Sequence, residues 1–349
     1  FFFYFYSMKY SFKNDYSEGC HPKILEALSQ NNFSQQNGYG EDEFCLKAEK
    51  IIIEKCKSPQ SKIHFVGGGT FANLLVISAL LKSYESVISA DSGHINSNET
   101  GAIEYCGHKI HNIASENGKL SPEIIIPVLE NHTNFPHQVK PKMVYISNST
   151  ELGTVYTKQE LEDLSKFCKE KNLYFFMDGA RLGHALTTEN SDVNLENIAK
   201  LTDVFYLGGT KNGAMFGEAI VVNNPEILED IRFHMKQKGG LLAKGRFLGI
   251  QFLTLFENDL YFELAKKANN QAQKLKIAFV DKGFKLLTET HSNQIFPILN
   301  NKQIEILQNL FEFYIWKKID ENFSAIRLVT SWSTENEVVE SFVSEIKKL

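Results

Sequence analysis

Residues 173–181 read Leu173-Tyr174-Phe175-Phe176-Met177-Asp178-Gly179-Ala180-Arg181. An apolar run as long as one strand stops on a carboxylate, and a guanidinium follows three positions later. A buried charge is costly unless something specific pairs with it, so this strand end asks for a ligand. Three other strand ends carry comparable groups: Gly67-Gly68-Gly69-Thr70, Asp91-Ser92-Gly93-His94 and Gly208-Gly209-Thr210-Lys211. In open α/β sheets ligands bind beyond the carboxyl ends of the strands. If these strands are neighbours, the four groups converge.

The surrounding pattern supports such a sheet. Strands are expected over 63–68, 86–91, 108–114, 143–147, 173–178 and 204–207, with helices over 99–106, 122–131, 158–171 and 195–201 between them. Alternation of this kind means a largely parallel sheet with helices on both faces. From about residue 232 the pattern changes to long helices through 282. A smaller mixed region follows, with strands near 284–287, 294–299 and 326–330. The last helix is expected to start at Thr334, whose T-x-x-E spacing to Glu337 fits a capping box.

Composition excludes several classes. The chain has 349 residues, 43% of them hydrophobic, and a formal net charge of −5 with both signs spread along its length. No basic stripe offers itself to nucleic acid. No apolar run approaches the roughly 20 residues a membrane span requires. Cysteines 20, 45, 56, 106 and 168 form no CxxC pair, so neither a disulfide framework nor a metal site is expected, and a reduced cytoplasmic setting is the default. The opening FFFYFYS is aromatic in six of seven positions. Residues 1–7 read as upstream extension, with Met8 as the natural start.

The GGGT segment opens a helix, where glycines admit a close ligand and free N–H groups attract an anion. No G-K-[ST] follows, so it is not a Walker loop. Gly67, Gly69 and Ala72 do match G-x-G-x-x-A, with Asp91 ending the next strand, which supports a rival reading as an NAD-dependent oxidoreductase. That rival leaves Lys211 unexplained. Lys211 lies among glycines 33 residues after Asp178. Pyridoxal phosphate needs both: a lysine for its Schiff base and a carboxylate against its pyridinium nitrogen. Asp178 would hold the ring nitrogen protonated, GGGT would cradle the phosphate with a hydroxyl from Thr210, and His94 would lie on the ring face.

The set HFVGGGTFANLL, DSGHINSNETGA, FMDGARLGHAL, GGTKNGAMFGEAIV and IRLVTSW resembles the threonine aldolase and β-eliminating lyase family of pyridoxal-phosphate enzymes, in the family's order. The resemblance implies the aspartate aminotransferase fold (fold type I). It implies a cofactor-binding large α/β domain over 14–255, with a segment over 8–40 closing on the site, and a small C-terminal α+β domain over 256–349. Lys211 becomes the Schiff-base lysine, Asp178 the pyridinium partner and His94 the stacking residue, with Gly69 and Thr70 at the phosphate. Arg181, Arg327 and Ser17 would clamp the substrate carboxylate, the arginines through a planar fork that matches it.

Two departures stand out. The family's ENTHN-like histidine is absent from Ser147-Asn148-Ser149-Thr150-Glu151, leaving Glu151 or a water held by His94 to deprotonate the substrate. KGGLLAKGRF lacks the arginine expected after its glycine pair, leaving Lys244 or Arg246 to supply phosphate charge, to a neighbouring subunit in a homodimer or homotetramer. The activity implied is cleavage of the Cα–Cβ bond of L-threonine or L-allo-threonine. The same residues would serve β-elimination, or an aldolase of another β-hydroxy-α-amino acid such as phenylserine.

Overall fold

The computed structural model describes residues 9–223 and 230–349; residues 1–7 and the expected start at Met8 lie outside the described residues. In chain order the strands are β1 (Tyr10–Ser11), β2 (Lys62–Val66), β3 (Glu85–Ala90), β4 (Ile110–Ile113), β5 (Lys140–Ser147), β6 (Tyr174–Asp178), β7 (Val204–Gly208), β8 (Glu218–Val222), β9 (Gln294–Ile295), β10 (Ile298–Asn300), β11 (Phe311–Glu312), β12 (Tyr314–Lys318) and β13 (Phe323–Val329). Seven of them form one sheet in the order β2-β8-β7-β6-β5-β3-β4. β8 runs antiparallel to β2 and β7, and the other pairings are parallel. Because β8 reverses between its two partners, β2, β3, β5, β6 and β7 all point the same way. Their carboxyl ends share one edge, so the four strand ends converge although β2, β3 and β6 are not mutual neighbours.

Every residue of β7 and β8 is buried, as is all of β6 except Tyr174. Strands covered on both faces have no wet side, so their sequences run apolar without alternating. The covering helices follow their spacing. In Lys158–Glu170, Leu161, Leu164, Phe167 and Cys168 are buried, and Thr157 and Glu160 form a reciprocal capping box at its start.

A separate core fills the C-terminal lobe, around Leu275, Phe279, Ile326, Leu328 and Phe342. The helix Leu260–Asp281 joins the two regions. Tyr261 and Leu264 pack with the large sheet, and Ala272 and Phe279 with the small lobe. The chain's start also belongs to the small lobe: β1 pairs in parallel with β11, and Phe12 is fully buried there. Burying one phenylalanine contributes about 1.5–3 kcal/mol, enough to tether the segment that carries Asp15 to the cleft.

The C-terminal lobe departs most from expectation. The strand expected over 284–287 is reduced to a single bridge between Leu286 and Pro297. The one expected over 294–299 is split into β9 and β10, both paired with β13. The helix Asn301–Gln308 and strand β12 had no counterpart in the sequence pattern. The final helix runs Asn336–Lys348, and Thr334 does not cap it. The Thr334 hydroxyl instead accepts from the Ser331 N–H and from the Tyr10 hydroxyl, a tertiary contact that outcompetes the local cap. The helix expected over 99–106 is shortened to Ala102–Tyr105, and a separate short helix, His94–Ser97, precedes it. All five cysteines are free.

Candidate active site

The turns after β6 and β7 touch at backbone distance. The Gly208 N–H donates to the Gly179 carbonyl at 2.9 Å. A Cβ on Gly179 would stand 1.6 Å from the Tyr206 carbonyl oxygen, and one on Gly208 2.3 Å from that of Ala180. Only glycine fits either place, and the fit brings Asp178 and Lys211 to one cleft. That cleft is about 670 Å³ and is lined by Gly67–Thr70, His94, Glu151, Asp178, Arg181, Thr210, Lys211 and Arg327, among others.

Asp178 is 3% exposed. Its Oδ2 accepts from the Tyr145 hydroxyl at 2.6 Å and from Asn73 Nδ2 at 3.0 Å, and Oδ1 accepts from the Ala180 N–H at 2.9 Å. Burial pushes this carboxyl upward, but nearby His94, the Tyr145 and Tyr206 hydroxyls and the Ala180 N–H outweigh it and hold it below the usual carboxylate range. It is a fixed negative charge. His94 faces it, with Nδ1 2.7 Å from Glu99 Oε1. Burial disfavours the imidazolium, yet Glu99 and the charges of Glu151 and Asp178 raise its pKa. Asn73 Nδ2 donates to both Glu99 and Asp178, tying the two carboxyls into one network.

At the glycine-rich end a Cβ on Gly67 or Gly68 would meet open space, and Gly69 begins the helix Gly69–Leu80. Free N–H groups of a helix start beside an open glycine cradle suit a phosphate. Lys211 makes no hydrogen bond or ion pair among the described residues, so its amine is available to the cleft. An unencumbered amine, a buried anion and a glycine cradle at a helix start are the donor set pyridoxal phosphate requires.

The two arginines differ. Arg181 donates from Nε and Nη2 to both oxygens of Asp15, at 2.7 and 3.0 Å. Burial works against both charges, but the pairing holds Asp15 far below and Arg181 above their usual ranges. The fork expected to clamp a substrate is therefore occupied by Asp15, leaving Nη1. Arg327 instead lies over Trp316 at 4.8 Å and donates Nη2 to the Lys13 carbonyl, while its buried Nε has no partner. It forms no ion pair among the described residues. The residue lines the cleft.

Two expected residues stand away from it. The Ser17 hydroxyl donates to Asn14 Oδ1 on an exposed turn, and its neighbour Tyr16 lines the cleft in its place. Lys244 is exposed and outside this chain's cleft, and Arg246 is spent on the carbonyls of Asn32 and Ser34. The dinucleotide reading fails on topology. Four strands separate β2 from β3, whereas that fingerprint needs the acidic residue beside the glycine turn. Asp91 is exposed and caps the N–H groups of Ser92 and Ser115.

Sequence reasoning missed Asn73, Glu99, Tyr145, Tyr206, Asp15 and Glu218. Asn73, Tyr145, Tyr206 and Asp15 act on partners distant in the chain, whereas Glu99, five residues after His94, and Glu218, eight after Thr210, lie near theirs.

The family model for beta-eliminating lyase matches residues 16–302. A low specificity L-threonine aldolase of a Pseudomonas strain is 33% identical over 345 residues, covering 96% of each chain, and that of Pseudomonas aeruginosa is 32% identical. The solved threonine aldolase of Leishmania major superposes with a TM-score of 0.95 at 46% identity, covering 97% of this chain and 99% of its own. Thermus thermophilus aspartate aminotransferase, at 13% identity and a TM-score of 0.71, shares the fold. The chain belongs to the beta-eliminating lyase family and has the aspartate-aminotransferase-like fold.

Proposed function

We propose that this protein is a pyridoxal-phosphate-dependent aldehyde-lyase that cleaves L-threonine or L-allo-threonine to glycine and acetaldehyde. The observation that carries the proposal is the meeting of unpaired Lys211 and ionised Asp178 in one cleft with Arg327. Likeness along nearly the whole chain to relatives named threonine aldolase supports the substrate class.

The bound cofactor supplies the electron sink for the bond broken at Cα. Lys211 Nζ would hold it, Asp178 would keep a proton on its ring nitrogen, and the His94 ring would limit its tilt. Gly69, Thr70 and Thr210 would receive its phosphate. Arg327 would take the substrate carboxylate, with Nη1 of Arg181 as second donor and Tyr16 in the place expected for Ser17. Fixing that carboxylate decides which Cα bond stands perpendicular to the ring, and hence which bond breaks. Glu151, 8% exposed in the cleft beside His94, Arg181 and Arg327, would remove the β-hydroxyl proton in place of the missing histidine.

Residues 14–255 would form the cofactor-binding unit and 256–349 the unit supplying Arg327. A cytoplasmic homodimer or homotetramer fits the exposed Met215 and Phe216, Phe216 being at the cleft itself, and the exposed Lys244. Purified protein given L-threonine or L-allo-threonine should release glycine and acetaldehyde in equal amounts. Ammonia with a 2-oxo acid would replace the aldolase reading by β-elimination.

A further inference from the structure

Glu218 is a carboxyl at the end of the cleft where a phosphate would bind. It opens β8 directly opposite Val66 of β2 and Gly208 of β7, the residues that precede the two glycine turns. It is 3% exposed and lines the cleft. The Gly209 N–H donates to its Oε2 at 3.0 Å, and the Thr210 hydroxyl donates to its Oε1 at 2.9 Å. Thr210 Oγ1 also accepts from the Gly217 N–H at 2.9 Å. A hydroxyl has one proton to give. While Glu218 accepts it, Thr210 cannot donate to an anion.

We propose that the protonated form of Glu218 is the one that accompanies the cofactor's phosphate: wherever the carboxyl is ionised beforehand it takes up a proton from solvent as the phosphate enters, and this proton turns Thr210 into a phosphate donor. Protonated Glu218 donates to Thr210 Oγ1, which still accepts from Gly217, and the threonine proton is released toward the phosphate. The proposal rests on the cofactor reading above. The groups around Glu218 favour such an exchange. Lys211 is a cation that favours its ionised form. Asp178, on β6, opposes its ionisation, while Tyr206 on β7 and Tyr261 on the helix Leu260–Asp281 stand against it as buried hydroxyls. Burial already lifts the carboxyl to about 8, against the pull of Thr210 and Lys211. An incoming phosphate adds a like charge, which disfavours the carboxylate further.

The test is calorimetric titration of the cofactor-free protein with pyridoxal phosphate, in buffers of different ionisation enthalpy, to count protons taken up. Glu218→Gln mimics the protonated acid, since its amide donates to Thr210 and its carbonyl accepts from Gly209. At about pH 9 the native protein should take up close to one proton more than Glu218→Gln, and the gap should close near pH 6, where Glu218 is already protonated. Equal counts at both pH values would overturn the proposal and leave the cofactor reading standing. A native protein that binds no pyridoxal phosphate would overturn both. Should Glu218→Gln not fold, infrared difference spectra of the native protein decide. Binding at about pH 9 must add a protonated-carboxyl band, and its absence overturns the inference.

Discussion

Asp178 ends β6 and Glu218 begins β8, with β7 between them, and both carboxyls are buried in one cleft. Burial alone would push both upward. At Asp178 the push is overcome by His94, the Tyr145 and Tyr206 hydroxyls and the Ala180 N–H, and the group is held ionised. Glu218 has the Thr210 hydroxyl, Lys211 and the Gly209 N–H in its favour, and Asp178 against it, and it stays up at about 8. Depth does not decide the charge of a buried acid; its donors and neighbouring charges do. The ring end of the cleft holds a permanent anion, and the phosphate end holds an acid that can be neutral when another anion arrives.

Lys211 shares the cleft with both carboxyls, and its loss should have the largest effect. Lys211→Ala should reduce turnover of L-threonine to background. Borohydride treatment of cofactor-loaded native protein should attach the cofactor to the Lys211 peptide, and the variant should show no such adduct by mass spectrometry. Next is Asp178→Asn, which keeps the shape and the contacts to Tyr145 but removes the charge. Turnover should fall about ten- to a thousandfold, the reach of a 1–3 unit shift at the ring nitrogen, with the cofactor still bound. Near-normal turnover would erase the distinction between the two ends.

Arg327→Ala should raise KM for L-threonine about ten- to a hundredfold, from the loss of charge-assisted hydrogen bonds. It should also change the ratio of acetaldehyde to ammonia. If rate and ratio both stay the same, Arg327 is structural.

The two carboxyls should also mark the pH dependence of cofactor-free stability in opposite directions. Asp178, depressed on folding, contributes stability that is present above its unfolded value near 3.8 and lost as pH falls through its folded pKa. Glu218 binds its proton more tightly in the folded protein. Stability should therefore fall as pH rises from about 4.5 to about 8. Thermal unfolding of Glu218→Gln should show a shallower decline across that window than the native protein. An unchanged slope would mean that Glu218 is ionised throughout. The smallest effect belongs to Ser17→Ala: with its hydroxyl on Asn14 at an exposed turn, stability should change by no more than about 0.5 kcal/mol, and KM should stay near native.

The sequence alone determined the strand–helix alternation, the four polar or glycine-rich strand ends and the pairing of Asp178 with Lys211. These are local facts: periodicity reports burial, and glycines flag turns where backbones meet. Tertiary structure decided what each charge does. Asp15, brought in by a segment anchored through Phe12, occupies the fork of Arg181 and leaves Arg327 the freer clamp. Asn73, Tyr145 and Tyr206 come from three separate elements to hold Asp178 ionised. β8, inserted in reverse between β2 and β7, carries Glu218 to the phosphate end, and the four strands between β2 and β3 separate the glycine turn from Asp91, which removes the dinucleotide reading. Charge state in a buried site is set by groups within hydrogen-bond reach, and that reach joins residues far apart in the chain, so no local pattern could report it.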